Sequence, residues 1–321
     1  MKINKKTAII IIGFGSIGKR HYRNLLELGY NNLAVFDPTD DALSGFNGIK
    51  RVIGLNNNAL KDFKAAFICS PNNLHIKHAT ICAQAGCKIF IEKPLSHNLK
   101  DISKLISILK KNRAIDMVAC NMRFHPCLAF IKNYLNKGAI GKIYSIQHEF
   151  GYYLPDWRPK NNYAEGYAAK KAAGGGIIFD DIHEFDLLFW LNNFEKIVES
   201  KFIFGKVSDL AIETEDICIA SFKFKNKILG LVKCDYLQKK YSRTCKIIGE
   251  RGNIRWDFNE NIVWLETKSG TKKIFKVKDY KVNTMYIDEI KYFFKCLEKN
   301  KQTFNNTEMA FSILKYCADR K

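Results

Sequence analysis

Short apolar runs alternate with segments of helical periodicity in the first third of the chain. Thr7–Ile12 and Ala65–Cys69 are almost entirely apolar, which is typical of strands buried on both faces of a sheet. Between them, Ile17–Leu28 has apolar residues at helical spacing and ends before Gly29. Further strands are predicted at 33–36, 88–91 and 114–119, and further helices at 74–85 and 99–111. This alternation predicts a parallel sheet with right-handed crossovers.

The pattern changes after residue 122, where longer strands separated by turns replace the alternation. After a helix over Pro126–Asn136, strands are predicted at 142–150, 197–205, 216–224, 228–236, 245–249, 253–257 and 272–278. One helix (182–191) interrupts these strands, and two more (285–297 and 307–316) follow them. Short turns such as Lys225–Lys227 favour antiparallel pairing. We therefore expect two domains, residues 1–122 with a parallel sheet and residues 123–321 with an antiparallel one.

A glycine motif lies between the first predicted strand and the first helix. It is Gly13-Phe14-Gly15-Ser16-Ile17-Gly18, a GxGxxG sequence in the context required of a dinucleotide-binding turn. Its glycines permit a tight turn, close approach of a pyrophosphate and close packing of helix on strand. Asp37 ends the next strand, where a carboxylate accepts hydrogen bonds from ribose hydroxyls. Because no Arg or Lys occurs in 38–41, the sequence favours NAD over NADP.

Polar residues follow two of the later predicted strands in this domain. One strand leads into Ser70–His75, and the next leads into Glu92-Lys93-Pro94. With the glycine motif, Lys19-Arg20-His21 and Gly174–Gly176, these segments resemble the Gfo/Idh/MocA oxidoreductase family over nearly the whole chain. The resemblance implies a Rossmann domain with a doubly wound parallel sheet, followed by an α+β domain with an open, mostly antiparallel sheet. It also implies NAD(H) as the cofactor and a homodimer or homotetramer joined through the sheets.

The resemblance assigns roles to the strand-end residues. In that family the lysine of Glu-Lys-Pro reaches the nicotinamide ribose and the reacting hydroxyl, and this role falls on Lys93. An ammonium there stabilises a developing alkoxide. Glu92 is expected to orient Lys93 or to contact ribose, while Ser70, Asn72 and His75 line the nicotinamide half of the site. For His75, local hydrogen bonds at a helix start explain the residue equally well.

The three glycines Gly174–Gly176 precede Asp180, His183 and Asp186. The common family pattern places Asp and His four apart, whereas Asp180 and His183 are three apart. The shorter spacing resembles a family branch that acts on sugars in surface-glycan pathways of the sialic- or legionaminic-acid type. His183 is expected to take the hydroxyl proton, which suits a group that titrates near neutrality. Either Asp180 supports His183, or Asp186, one helical turn further on, fixes its tautomer. This chemistry needs no metal, and we expect none.

A long loop rich in aromatic residues leads to the three glycines. Long ordered loops of this kind are usually functional. Trp157, Tyr163 and Tyr167 offer faces suited to sugar rings, and Arg158 can hold a carboxylate or a phosphate. Arg123, just after the first domain, can do the same. Packing between domains or subunits explains each of these residues almost equally well.

Composition narrows the classes of function. The chain has 321 residues and a formal net charge of +20 that is spread along its length. Such a charge attracts anionic ligands in general and is weak support for nucleic-acid binding. Ten cysteines without CxxC spacing indicate buried thiols in a reducing cytosol rather than disulfides or zinc. Because the sequence shows neither a membrane span nor a signal peptide, we expect a cytoplasmic protein without a membrane or nucleic-acid partner.

These features together predict an NAD(H)-dependent oxidoreductase. It would transfer hydride between nicotinamide and a hydroxyl-bearing carbon of a sugar, either an amino sugar or a nucleotide sugar in glycan biosynthesis. One alternative is a regulator that binds NAD or sugar without turnover, which the presence of both Lys93 and His183 disfavours. Another is an enzyme that uses NAD transiently for glycoside cleavage or epimerisation, from which net release of NADH separates a dehydrogenase.

Overall fold

A computed structural model describes residues 4–46 and 48–319, apart from the side chain of Asp40. The chain forms two compact units. The first extends to Cys120 and also includes Asn283–Lys315, and the second comprises Asn121–Val282 together with the chain from Tyr316. The chain therefore returns to the first unit after residue 282, which differs from a second domain that runs without interruption over 123–321.

A six-stranded parallel sheet forms the centre of the first unit, in the order β3-β2-β1-β4-β5-β6. Every residue of the two central strands is fully buried, as expected when helices cover both faces. The order reverses between these two strands, as in doubly wound sheets, and the predicted Rossmann sheet is confirmed. The strands are β1 (Ile9–Ile12), β2 (Leu33–Phe36), β3 (Lys50–Arg51), β4 (Ala65–Ile68), β5 (Lys88–Ile91) and β6 (Asp116–Val118), and the helices between them are α1 (Ser16–Glu27), α2 (Asn57–Leu60), α3 (His75–Gln84) and α4 (Ile102–Lys111).

The second unit is built on an eight-stranded sheet, in the order β14-β13-β12-β11-β7-β10-β9-β8. Its strands are β7 (Ile143–Gly151), β8 (Ile197–Gly205), β9 (Ile217–Phe224), β10 (Leu229–Asp235), β11 (Ser242–Gly249), β12 (Gly252–Asp257), β13 (Ile262–Thr267) and β14 (Gly270–Lys276). Only β7 and β10 are parallel neighbours, so the mostly antiparallel sheet is confirmed. The sequence pattern did not predict β13, because only Val263 and Leu265 of this short strand are buried.

Helices cover one face of this sheet. They are α5 (Pro126–Asn136), α6 (Leu154–Trp157), α7 (Ile177–Asp180) and α8 (Ile182–Leu191). All residues of α8 except Trp190 are buried, and the helix packs on β7 and β10. A helix buried on all sides fixes the position of any polar side chain that it carries.

The last two described helices belong largely to the first unit. Phe294 stacks on Tyr30 with ring centroids 4.3 Å apart, and Phe293 meets the Phe67 ring edge-on at 5.9 Å. Burying each such phenyl ring stabilises the fold by about 1.5–3 kcal/mol, which draws this segment back onto the parallel sheet. A single domain boundary at residue 122 cannot describe a chain that comes back to the first unit at residue 283. The two helices are α9 (Asn283–Glu298) and α10 (Thr307–Asp319).

Several expected properties can be checked on the described residues. All ten cysteines are free and buried. No described helix is long and apolar enough to cross a membrane. Within the same residues, no group of three or more His, Cys, Asp or Glu side chains is arranged to hold a metal ion.

Candidate active site

The glycine turn between β1 and α1 is packed tightly around its outer glycines. Gly13 has φ +90°, and a Cβ there would lie 2.5 Å from the Ser70 nitrogen. A Cβ on Gly18 would collide with the carbonyl oxygen of Gly13. A Cβ on Gly15, by contrast, would meet no atom within 4 Å. The space above Gly15, at the N-terminus of α1, therefore fits the pyrophosphate of a dinucleotide.

The remaining residues of the glycine motif differ in exposure. Phe14 is fully buried, and its ring meets those of Tyr22 and Phe46 edge-on at 5.6 and 5.0 Å. Ser16 is exposed and Ile17 is half-buried. Phe14 thus anchors the turn, while Ser16 lies on its solvent side.

Asp37 lies beside this turn, where the sequence places it. Its Oδ2 accepts a hydrogen bond from the Phe14 N–H at 2.7 Å, and its Oδ1 accepts one from the Thr39 N–H at 2.9 Å. A basic residue lies close to Asp37, although residues 38–41 contain none. Arg51 of β3 donates from Nη2 to the Asp37 carbonyl oxygen at 3.3 Å. It reaches Asp37 from the neighbouring strand rather than from the next residues along the chain.

The segments that follow β4 and β5 are joined by a buried histidine. His75 places Nδ1 2.8 Å from the Pro94 carbonyl oxygen and Nε2 2.7 Å from the Ser70 carbonyl oxygen. Burial lowers the pKa of His75, while the two carbonyls favour its protonated form. His78 Nδ1 lies 2.9 Å from the Ser70 hydroxyl, and Asn72 is buried at the same strand end. These contacts indicate that His75 ties the two segments together, which is the local hydrogen-bonding alternative, and its contact with nicotinamide stays a prediction.

Glu92 joins Lys93 to the interior of the first unit. Its Oε1 lies 2.5 Å from Nε2 of His21 on α1, and its Oε2 accepts a hydrogen bond from the Lys93 N–H at 3.2 Å. Burial opposes ionisation, but the hydrogen bond and charge of His21, followed by the charge of Lys93, lower the pKa of Glu92. Lys93 is half-buried, and its peptide bond to Pro94 is cis. Glu92 thus contacts the Lys93 backbone, and its expected part in orienting the Lys93 ammonium or contacting ribose stays a prediction.

The three glycines bring the aromatic loop against α7. A Cβ on Gly175 would lie 2.5 Å from the Ala168 carbonyl oxygen, and Gly176 has φ +105° and donates its N–H to the same oxygen at 3.1 Å. A side chain at Gly175 would push the loop segment away, and one at Gly176 would clash with the Glu215 carboxyl group at 2.5 Å. The glycines thereby place Tyr167 next to Asp180, the last residue of α7.

Asp180 is the acceptor for three phenol hydroxyls. Tyr152 and Tyr236 donate to its Oδ2 at 3.0 and 3.1 Å, and Tyr167 donates to its Oδ1. Burial, followed by the negative charge of Asp180, raises the pKa values of all three tyrosines well above their ordinary value. The three phenols therefore remain protonated and act as donors to the Asp180 carboxyl oxygens.

His183 is the second residue of α8 and is buried. It comes three residues after Asp180, and the chain breaks its helical path at Asp181 between them, with φ −112° and ψ 41°. Both residues of the expected acid–base pair thus belong to the second unit and lie at adjoining helix ends. Support of His183 by Asp180 stays a prediction.

Two buried arginines pair with the neighbouring carboxylates. Arg123 holds Asp186 through Nε–Oδ2 at 2.8 Å and Nη2–Oδ1 at 2.5 Å, and its side chain is completely buried. This bidentate pair indicates a structural role for Arg123 in place of the expected substrate contact, and it occupies Asp186, the alternative partner for His183. Arg243 of β11 pairs with Asp181 and Glu184 at 2.7 and 2.8 Å.

A pocket of about 350 Å³ opens on the second unit beside Asp180. It brings together four residues of the aromatic loop that the sequence singles out as a substrate surface. Trp157 is half exposed and its ring lies 4.5 Å from that of Tyr152, while the Tyr163 hydroxyl accepts a hydrogen bond from the Ala211 N–H at 3.2 Å. The predicted residues that line the pocket are Trp157, Arg158, Tyr163, Tyr167 and Asp180.

Some residues of this region carry no signal in the linear sequence. Tyr236 and Arg243 come from β-strand ends far from the glycine motif in the chain, and His21 is visible only as part of a family motif. Another cavity, of about 420 Å³, lies in the first unit between α4 and α10, away from these residues. Chemistry rather than size therefore identifies the candidate site.

Comparison with known proteins places both units in one family. The model of the Gfo/Idh/MocA oxidoreductase family, NAD-binding Rossmann fold, matches residues 7–120, and that of the Gfo/Idh/MocA C-terminal domain matches residues 128–255. Myo-inositol 2-dehydrogenase of Thermotoga maritima is 27% identical over 307 residues, which cover 89% of this chain and 86% of that protein.

Solved structures share the fold at lower identity. Levoglucosan dehydrogenase in complex with NADH and L-sorbose superposes with a TM-score of 0.84 at 18% identity, covering 98% of this chain and 96% of that one. UDP-N-acetylglucosamine 3-dehydrogenase of Acidithiobacillus ferrooxidans gives 0.79 at 17% identity, covering 98% and 96%. Identities this low establish the fold alone.

Proposed function

Because the chain belongs to the Gfo/Idh/MocA family of NAD-dependent sugar and polyol oxidoreductases, we propose that it oxidises one CH–OH group of an amino sugar or a nucleotide-linked sugar in glycan biosynthesis, or reduces the corresponding ketone. The observation that carries the proposal is the pocket in which aromatic rings and Arg158 surround Asp180. Such a pocket combines stacking faces for a sugar ring with a hydrogen-bond acceptor for its hydroxyls.

The first unit holds the cofactor. The space above Gly15 and the N-terminus of α1 take the pyrophosphate, and Asp37 takes the ribose hydroxyls. NAD⁺, when bound, accepts the hydride that leaves the CH–OH carbon. Ser70, Asn72 and Glu92 lie at the carboxyl ends of β4 and β5, the edge of a doubly wound sheet at which ligands bind.

Lys93 and His183 have different roles toward the reacting hydroxyl. The Lys93 ammonium stabilises negative charge on the oxygen as the C–H bond breaks. His183 takes the O–H proton, so the alcohol loses a hydride and a proton and becomes a ketone or aldehyde. The Asp180 carboxyl group accepts hydrogen bonds from three phenols and supports the imidazolium that His183 becomes.

Two features support the finer substrate class. Arg158 is exposed at the pocket and matches a carboxylate or phosphate, as sialic-type sugars and nucleotide sugars carry. An exposed tryptophan beside the arginine adds a stacking face for a sugar ring or a base.

We also propose that the chain assembles through the open face of its eight-stranded sheet. Ile203, Ile219, Leu229 and Leu231 project from this face on adjacent strands, and Ile203 is 75% exposed. Exposed apolar side chains that cluster on one sheet face mark an interface. A homodimer or homotetramer would cover them. Light scattering tests this, and Ile203→Asp is expected to shift the mass toward the monomer.

A substrate screen tests the proposed function. The purified chain is incubated with NAD⁺ and UDP-, GDP- or CMP-linked amino sugars, with free amino sugars and polyols as the comparison, and NADH absorbance is followed. We expect turnover with at least one of the linked or amino sugars and a loss of about 100-fold or more in kcat for Lys93→Ala. Turnover of polyols alone would reject the finer class. Tight NAD binding without turnover, unchanged by Lys93→Ala, would instead identify a sensor.

A further inference from the structure

We propose that Arg243 is a positioning residue: by holding Asp181 and Glu184 together, it sets the angle between the helix that ends at Asp180 and the helix that carries His183. The inference rests on the proposed function, because it presumes that Asp180 and His183 act on the substrate. It concerns a residue of β11 that the glycine motif and the aromatic loop do not include.

The contacts of Arg243 are directed to two points on the same chain segment. Its Nη2 donates to Oδ1 of Asp181 at 2.7 Å, and its Nε lies 2.8 Å from Oε1 of Glu184. The Arg243 side chain is 9% exposed, and its guanidinium lies over the Phe150 ring at 4.0 Å from the centroid. One planar group therefore joins the residue at the helix break to a residue in the first turn of α8.

The helix break itself supplies little to fix this angle. Asp181 adopts a non-helical conformation, and its side chain makes no capping bond to α8. The Glu184 N–H reaches the Asp181 carbonyl only at 3.3 Å. Because α7 has only four residues, its own hydrogen bonds do not define a direction over a long span. Arg243 adds contacts that the backbone does not supply, one to the break residue Asp181 and one to Glu184 in the first turn of α8.

A second buried side chain faces the same carboxylate. His148 on β7 places Nδ1 3.2 Å from Oε2 of Glu184, and both side chains are completely buried. Glu184 is thus held between two strands, by Arg243 on β11 and by His148 on β7, which are neighbours in the sheet. The first turn of α8 is therefore fixed to the sheet, and His183, which precedes Glu184, is fixed with it.

Arginine is suited to this task because its donors are spread over a rigid plane. A lysine retains the charge but offers a single ammonium, which cannot face both carboxylates in the same way. Arg243→Lys should therefore keep the charge balance of the cluster and loosen the angle at Asp181. Arg255→Lys is the matched control, because Arg255 on the adjacent β12 also faces two carboxylates, Glu260 at 3.5 Å and Glu266 at 3.6 Å, at the surface.

The experiment measures kcat, KM and the NMR signals of the seven histidines. The His183 signal is assigned by its loss in His183→Gln. For Arg243→Lys we expect kcat to fall about 10- to 100-fold, as a small misplacement of a reacting group does, while KM changes by less than about threefold. The His183 signal should shift, and Arg255→Lys should change neither quantity.

The inference is overturned if Arg243→Lys has the kcat and the His183 signal of the unaltered chain. A loss of stability with an unchanged kcat and an unshifted His183 signal would also overturn it, because it would show a merely structural arginine. If Arg243→Lys does not fold, Glu184→Gln removes half of the grip and should lower kcat in the same direction. If the unaltered chain turns over no substrate, the proposed function fails, and the His183 signal alone still decides whether Arg243 positions that residue.

Discussion

Nε2 of His21 and Oε1 of Glu92 lie 2.5 Å apart inside the parallel-sheet unit, one on the first helix after the glycine turn and the other immediately before Lys93. The same carboxylate accepts the Lys93 N–H. The pair therefore links the helix at which the pyrophosphate would bind to Lys93, the lysine that we propose polarises the substrate oxygen.

Glu92→Gln should show the effect of the negative charge of Glu92 while keeping a side chain of nearly the same shape. The amide keeps the size of the side chain and one of its two oxygens but removes the negative charge, so we expect a folded protein with kcat lowered about tenfold, a loss of about 1.4 kcal/mol in transition-state stabilisation. Glu92→Ala leaves His21 without its buried partner and should cost about 3–5 kcal/mol of unfolding free energy. Glu27→Gln, on the exposed side of α1, is the control. Denaturant unfolding and steady-state kinetics measure both effects.

Cofactor preference should depend on Asp37 and Arg51 together. Asp37→Asn keeps an acceptor for the Phe14 N–H and removes the charge that repels a 2′-phosphate, so kcat/KM with NADP should rise relative to NAD by about 10- to 100-fold. Arg51 is the cation close enough to receive that phosphate, and adding Arg51→Ala should cancel the gain. Lys50→Ala, on the same short strand, should not. A gain that persists without Arg51 would contradict this account.

The phenols that donate to Asp180 should affect kcat more than the other hydroxyls of the pocket do. Tyr236→Phe or Tyr152→Phe removes one donor to the carboxylate and should lower kcat by about threefold to tenfold, as the loss of a hydrogen bond to a charged group does. Tyr163→Phe serves as the control, because its hydroxyl lines the same pocket but pairs with the Ala211 backbone. Equal effects from all three variants would show that Asp180 has no special role.

Acid should weaken the second unit through His125. This buried residue caps α5, since its Nδ1 accepts a hydrogen bond from the Cys127 N–H at 3.2 Å, and protonation of that nitrogen destroys the cap. Burial lowers the pKa of His125 to about 4. The folded state therefore binds the proton less well than the unfolded state, so the stabilisation is complete above about pH 6.5 and is lost as the pH falls toward 4.

His125→Asn retains a capping side chain without this titration. The pH dependence of the unfolding free energy between 6.5 and 4 should become shallower by up to about 3 kcal/mol in total. Urea unfolding at several pH values measures it. An unchanged slope in the variant would show that other groups carry the acid sensitivity.

Local patterns were enough to predict the parallel sheet, the glycine turn and most strands of the second sheet. Gly13 and Gly18 each have a steric reason that follows from the motif and its position between strand and helix, and Gly15 leaves open space at the N-terminus of α1. Trp157, Arg158, Tyr163 and Tyr167 could be grouped because they lie close together in the chain.

Contacts between distant segments could not be predicted in this way. Arg51 approaches Asp37 only because β3 lies beside β2, and Arg123 is taken by Asp186 only once α8 is packed. Similarly, Phe293 of α9 contacts Phe67 of β4, which lies more than 200 residues earlier in the chain. Charge and type alone suggested a substrate contact for Arg123, whereas its burial and bidentate partner indicate a structural one.

The most direct test of the account follows a deuterium atom. A sugar that the chain turns over is labelled with deuterium at the carbon of its reacting CH–OH group, and the NADH produced is analysed by mass spectrometry. The account predicts one deuterium in each NADH formed, with the rate lowered about 100-fold or more in Lys93→Ala and His183→Gln. NADH that carries no deuterium, or equal rates in both variants and the unaltered chain, would contradict it.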